Sequence, residues 1–138
     1  MSAWHAAYTL ARRSADQGRL DDARAYCWEA IARAHIAPEP HYLMATLCEA
    51  TGDHAGALSN FRKALYVDPE FVPAYLGLAS LHRRTGQANL AHRDVARARR
   101  LLEGRPADEL VLAAEGLTVG HVRRALDRGL APRLNGNG

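Results

Sequence analysis

Apolar residues recur along most of this chain at helical spacing, and alternating stretches of the kind that make half-buried strands are scarce. The pattern predicts helices over about 3–17, 20–35, 40–51, 54–67, 72–85 and 88–103, and a shorter one over 119–128. Gly18, Gly52 and Gly86 fall between paired helices and recur every 34 residues. Cut at Trp4, Pro38 and Val72, the chain gives three contiguous units, 4–37, 38–71 and 72–105. The eighth residue of each unit is alanine (Ala11, Ala45, Ala79). So are the twentieth (Ala23, Ala57, Ala91) and the twenty-seventh (Ala30, Ala64, Ala98). With alanine at its frequency in this chain, nine matches in one phase arise by chance about once in a few million. Next to each eighth-position alanine stands a larger side chain, Leu10, Met44 or Leu78.

The turns carry their own chemistry. Glycine tolerates the left-handed backbone that ends a helix, which suits the fifteenth position of each unit. Pro69 lacks an N–H and biases Asp68 away from helical geometry, so the helix before it ends there. Pro73 falls in the first turn of the next helix, where a missing donor does no harm. The equivalent of Pro69 is His35 in the first unit and Glu103 in the third. Arg99 stands where Ile31 and Leu65 occupy the other units, so the last helix of the third unit is either more exposed there or covered differently. Thr118 can cap the short helix and Gly129 can end it. Val119, Val122, Ala125 and Leu126 then share one face of a capping helix.

Period, small positions and turn glycines together resemble the tetratricopeptide repeat, a helix–turn–helix unit. The resemblance implies an all-α right-handed solenoid of three repeats in a single domain over 1–129. A connector over 106–117, able to hold a helical turn, and a capping helix over 118–129 complete it, and residues 130–138 are expected to be a disordered tail.

Composition narrows the classes. At 138 residues and 48% apolar content the chain can bury one modest core. No apolar run approaches membrane-spanning length, and the N-terminal charges follow the apolar residues, opposite to a secretory signal; a cytoplasmic protein is expected. Cys27 and Cys48 form no CxxC pair and are expected to be buried thiols. Charge is uneven. Residues 1–71 hold 7 Lys+Arg against 9 Asp+Glu, net −2, and residues 72–138 hold 11 against 6, net +5, which together give the chain's +3. The C-terminal half therefore favours acidic partners.

Two phrases narrow the resemblance. KALYVDPEFVPAYLGLASLHRRTGQ (63–87) and EGLTVGHVRRAL (115–126) resemble the tetratricopeptide region that follows the catalytic domain in some CheR-type chemoreceptor glutamate methyltransferases. The matching residues are Tyr66, Asp68, Pro69, Phe71, Arg83, Arg84, Gly86, Gly116, Leu117, Thr118 and Gly120. Those enzymes use S-adenosylmethionine in a separate α/β domain, and this chain has no glycine-rich strand–turn–helix for such a site. It is expected to be no enzyme by itself, but either a module excised from such an enzyme or a stand-alone relative. The implied function is protein–protein interaction, as a regulatory or scaffolding module that positions a receptor segment or the catalytic domain. The alternative is a generic scaffold in a homo-oligomeric or other multiprotein assembly unrelated to chemotaxis.

Candidate binding residues follow from the repeat. In such arrays the first helix of each repeat lines a concave groove. The groove positions here are His5, Tyr8, Arg12 and Asp16; Glu39, Tyr42, Thr46 and Glu49; and Leu76, Ser80, Arg83 and Arg84. The lysine and asparagine of the chaperone-binding carboxylate clamp are replaced by Tyr8 and Arg12, which argues against recognition of a chaperone tail. Arg93, Arg97 and Arg100 form a stripe at i, i+4 and i+7, and Arg123 and Arg124 add charge on the capping helix; this basic flank is either a docking surface for acidic helices or a solvated face. Trp28, at an outward repeat position, points to self-association or to a neighbouring element. The histidines show no ligand spacing, His35 and His41 included, so no metal or cofactor is expected. No nucleic-acid motif accompanies the arginines, and no partner of that kind is expected.

Overall fold

The structure is a computed structural model that describes residues 2–34, 36–112 and 116–128. Six longer helices come in pairs: α1 (Ala3–Asp16) with α2 (Leu20–Arg33), α3 (Glu39–Ala50) with α4 (His54–Val67), and α5 (Val72–Arg84) with α6 (Ala88–Leu102). Two short strands, β1 (Leu110–Leu112) and β2 (Leu117–Thr118), and a last helix α7 (Val119–Asp127) follow. The class is the all-α helical repeat expected. The chain divides into two compact units, Met1–Phe71 and Val72–Gly138. His35, Gly129 and the tail 130–138 lie outside the described residues.

The helical hairpins close as their sequence dictates. Gly18, Gly52 and Gly86 have φ of 76°, 77° and 77°, the left-handed region that a Cβ disfavours. The residue after each glycine donates back to the first helix: Arg19 to the Ser14 carbonyl (2.9 Å), Asp53 to Cys48 (2.9 Å) and Gln87 to His82 (2.8 Å). This is the bonding of a Schellman turn, and it satisfies carbonyls that the helix end would leave open. All nine repeat alanines are buried, none more than 4% exposed, so the small positions are where paired helices touch.

In the first unit the core joins Ala7, Ala11, Ala23, Cys27 and Ala30 of α1 and α2 to Leu43, Met44 and Leu47 of α3. Met44 fills that junction, whereas Leu10, its counterpart in α1, is 39% exposed. Asp68 ends α4. Its N–H donates to the Ala64 carbonyl (2.9 Å), its carbonyl accepts from Phe71 (3.1 Å), and its carboxylate accepts from the Glu70 N–H (3.0 Å). The Asp-Pro break is thus a compact Asx turn that returns Phe71 to the core.

In the second unit α7 covers the flank of the α5/α6 pair. Val119, Val122 and Leu126 pack with Val72, Leu76, Ala98 and Leu102, the face the sequence assigned to a capping helix. The connector holds a turn at 106–109, closed by the Glu109 N–H on the Pro106 carbonyl (3.1 Å), and also a strand pair that the sequence did not predict: β1 and β2 pair antiparallel, Leu110 opposite Thr118 and Leu112 opposite Leu117. Each residue of the Gly-Leu-Thr-Val-Gly phrase then has a structural task. Gly116 takes a φ of 64° beside the pair, and Leu117 and Thr118 form β2. The Thr118 hydroxyl accepts from the His121 N–H (3.1 Å), and His121 Nδ1 accepts from the Thr118 N–H (3.4 Å), a reciprocal cap. Val119 donates to the Glu109 carbonyl (2.9 Å) and Gly120 to Ala107 (2.8 Å). A Cβ on Gly120 would lie 3.1 Å from that Ala107 oxygen, so the phrase locks the loop over 107–109 onto the helix start.

Candidate protein-binding surfaces

The groove residues divide by repeat position. Tyr8, Tyr42 and Leu76 are the fifth residues of the three repeats, and all three are buried, which corrects their assignment to a binding face. Tyr8 sits beside Trp4 (6.1 Å between ring centres). Tyr42 lies between Phe61 (5.9 Å) and Phe71 (5.8 Å, edge-on). A large fifth residue on the side facing the partner helix gains more from burial than from water, so it joins the core. In the first unit the polar positions remain at the surface: His5 and Asp16 exposed, Arg12, Glu39, Thr46 and Glu49 half-buried. His5 is stacked on Trp4 at 4.2 Å, and the Thr46 hydroxyl is turned inward to the Leu43 carbonyl (2.8 Å). In the second unit Ser80 is half-buried and Arg83 and Arg84 are exposed.

The basic flank also divides. Arg93, Arg97 and Arg100 are exposed along α6, with the Arg97 guanidinium 5.9 Å from the centre of the Tyr75 ring. Arg124 is exposed on α7. Arg123 is half-buried, and its guanidinium donates to the Leu102 carbonyl at the end of α6. Arg99 of α6 does the converse at the end of α7, donating to the Leu126 carbonyl (2.6 Å) and to Asp127 (2.9 Å). Each helix supplies a cation to the negative end of the other. That resolves the odd arginine in the repeat: Arg99 replaces an aliphatic residue because α7 covers this flank, with its C-terminal carbonyl within reach. A cavity of about 400 Å³ between these two helix ends is lined by the same Arg99 and Arg123, with Glu103 and Asp127.

Besides Leu10, three large apolar side chains of the first unit stand exposed: Trp28 on α2 at 56% exposure, Tyr66 on α4 at 90%, and Ile36 in the loop after α2. Tyr66 belongs to the Ala-Leu-Tyr-Val-Asp-Pro phrase, so part of that phrase builds the turn and part faces water.

Comparison with known proteins matches this geometry. The family model described as "Tetratricopeptide repeat" matches residues 38–71, the second repeat with the bounds the sequence period gave. The chain carries a tetratricopeptide repeat. A curated relative, the "Probable biofilm formation methyltransferase WspC" of Pseudomonas putida, is 34% identical over 91 residues, 66% of this chain. The chain spans about a fifth of that relative's length, 20%. Among solved structures, the translocator chaperone SycD of Yersinia enterocolitica superposes with a TM-score of 0.71 at 15% identity, over 91% of this chain and 92% of that one. That likeness shows the fold. The helical hairpins of the described residues are thus of the tetratricopeptide type.

The repeats also display what sequence reading missed. The eleventh position is Ser14, Cys48 or His82, and the twenty-third is Tyr26, Asn60 or Asp94. Ser14, Asn60 and His82 are the buried polar residues among those described, so these two positions are where each helical hairpin admits polarity. In the third repeat they make a hydrogen-bonded pair, His82 Nδ1 to Asp94 Oδ2 at 2.7 Å, with little exposure of either side chain. Burial pushes the Asp94 carboxyl above its ordinary range, and His82 draws it partly back. The signal was present as a shared repeat position, not as a motif. Cys27 and Cys48 are buried free thiols, as expected. The Cys27 thiol donates to the Pro40 carbonyl (3.0 Å). Among the described residues no three His, Cys, Asp or Glu side chains gather in a way that would hold a metal, and no helix is long and apolar enough to cross a membrane.

Proposed function

We propose that this chain is the regulatory or scaffolding module of a chemotaxis-type receptor methyltransferase system. The observation that carries the reading is the 34% identity over 91 residues with a methyltransferase of which the chain spans only 20%. A stretch of that size is a module beside the chemistry. The mechanism is positional. A surface that holds a receptor segment or the catalytic domain raises its effective concentration, and so controls which glutamates the active site reaches. The polar residues left at the surface are the candidates for that contact: His5, Arg12, Asp16, Glu39, Thr46 and Glu49 in the first unit, and Ser80, Arg83 and Arg84 in the second. Calorimetric titration with the cytoplasmic fragment of the cognate chemoreceptor, at low and high salt, tests it. Saturable binding that weakens with salt supports receptor docking through arginines; no heat at either salt removes receptor docking from the proposal.

A second reading is a scaffold acting in homo-oligomeric or other assembly. The exposed Trp28 favours it, because a half-exposed indole on a helix is a common anchor of protein interfaces.

A further inference from the structure

We infer that this chain associates with a second copy of itself through unlike faces, the outer stripe of α2 on one copy against the outer stripe of α6 on the other. The inference rests on the assembly reading above and names its surfaces.

On α2, Asp21, Ala25, Trp28 and Ala32 follow one another at i, i+4, i+7 and i+11, and all four are exposed. Asp22 and Glu29 flank the stripe. Asp21 and Asp22 have no ion-pair partner among the described residues, while Glu29 holds its own neighbour Arg33 at 3.2 Å. On α6 the same four repeat positions are Asn89, Arg93, Ala96 and Arg100, all exposed, and Arg97 stands where α2 has Glu29. No described carboxylate pairs with Arg93, Arg97 or Arg100. The α2 stripe and its flanks thus carry carboxylates, and the α6 stripe carries arginines, at matching places on equivalent helices.

Their spacing also agrees. Asp22 and Glu29 are seven residues apart, as are Arg93 and Arg100, about 10 Å at the rise of an α-helix. Both pairs of charges can meet at once. Ala25 and Ala32 keep the α2 stripe low and Ala96 does so at the middle of the α6 stripe, so two helices can approach closely. With the two helices antiparallel, Asp22 against Arg100 and Glu29 against Arg93, Trp28 comes level with the stretch from Arg93 to Ala96, where guanidinium groups lie against its face, the favoured geometry for a cation and an indole. One contact thus covers the large indole of α2 and neutralises the arginines of α6. The charge division along the chain, net −2 before residue 72 and +5 from it, steers the same encounter.

Sedimentation velocity on the 138-residue chain and two variants tests this. One variant is Arg93→Glu/Arg97→Glu/Arg100→Glu and the other is Asp21→Lys/Trp28→Ala. Every changed side chain is exposed, and helical circular dichroism checks that both variants fold. The unmodified chain is expected to gain mass with concentration, less so in about 0.5 M salt than in about 0.05 M. Trp28→Ala alone is expected to weaken association about tenfold or more. Each multiple variant alone should sediment as a monomer. Their equimolar mixture should give a one-to-one complex, because each retains the face the other lacks. If the arginine variant self-associates like the unmodified chain, pairing of unlike faces is overturned and the assembly reading survives. A chain monomeric at every concentration overturns both. Two monomeric variants that do not combine on mixing also overturn the pairing.

Discussion

Cys27 gives the account its most quantitative test. The side chain is wholly buried between α2 and the start of α3, and its thiol donates to the Pro40 carbonyl. Burial pushes the thiol from 9.0 to about 12, with the Met44 backbone drawing it slightly down and Cys48 adding to the rise. A rise of that size is worth about 4 kcal/mol between the two ionisation states. Because the folded value lies above the ordinary one, that stability is complete below pH 9 and is lost as the pH climbs towards 12. By about pH 10.5 the loss is about 2 kcal/mol. Cys27→Ala removes the sulfur and leaves a small void, which costs about 1–2 kcal/mol at about pH 8, but it removes the titration as well. The two unfolding free energies should therefore converge and cross between about pH 9.5 and 10.5. Urea unfolding of both proteins under reducing conditions, from about pH 8 to 11, measures this directly. A difference that stays constant across the range would refute the buried, hydrogen-bonded thiol. Alkylation offers a second reading of the same quantity. At about pH 8 the thiolate fraction is about a thousandfold below that of an ordinary cysteine, so labelling should follow unfolding.

The polar pair of the third repeat predicts the opposite end of the pH scale. The Asp94 carboxyl is raised above 3.8, so its share of stability is whole below pH 3.8 and falls as the pH rises through the raised value; the unfolding free energy of the native chain minus that of Asp94→Asn should decline over that interval and then stay level, and a difference independent of pH would contradict it. Arg99→Ala and Arg123→Ala should each cost about 1 kcal/mol, and hydrogen exchange should quicken in α7 while α1 to α4 keep their protection; uniform quickening would contradict a local clamp. Ala79→Leu forces a larger side chain into the crossing of α5 and α6 and should cost about 1–3 kcal/mol by thermal unfolding, whereas an unchanged Tm would mean that the helices do not cross closely there.

The repeat was legible because its signals are local and periodic. Three glycines at the helix turns and nine alanines at the crossings place six helices to within a residue or two of their observed ends. Thr118 was legible as a cap because a hydroxyl before an apolar face has few other uses. The paired strands were not legible: β1 is three residues and β2 two, too short for a period, and their pairing depends on the loop over 107–109 that α7 holds. The fate of Tyr8, Tyr42 and Leu76 was hidden for another reason. The period says that a residue recurs at a position, but not whether its size carries it across to the partner helix. The same limit hid His82 and Asp94, twelve residues apart in sequence and 2.7 Å apart in the fold. Likewise Arg93, Arg97, Arg100, Arg123 and Arg124 read as one basic flank, while the hydrogen bond of Arg123 to a helix end separates it from the other four, which face water.

The central claim is that the chain acts by position, bringing a methyltransferase active site and its receptor together. The most direct measurement is transfer of labelled methyl groups from S-adenosylmethionine to receptor glutamates by the cognate catalytic domain, with and without this chain joined to it. The account predicts that the chain lowers the receptor concentration needed for half-maximal transfer, or changes which glutamates are modified, and that high salt removes the effect. Equal rates and an identical pattern of modified glutamates in both cases would contradict it.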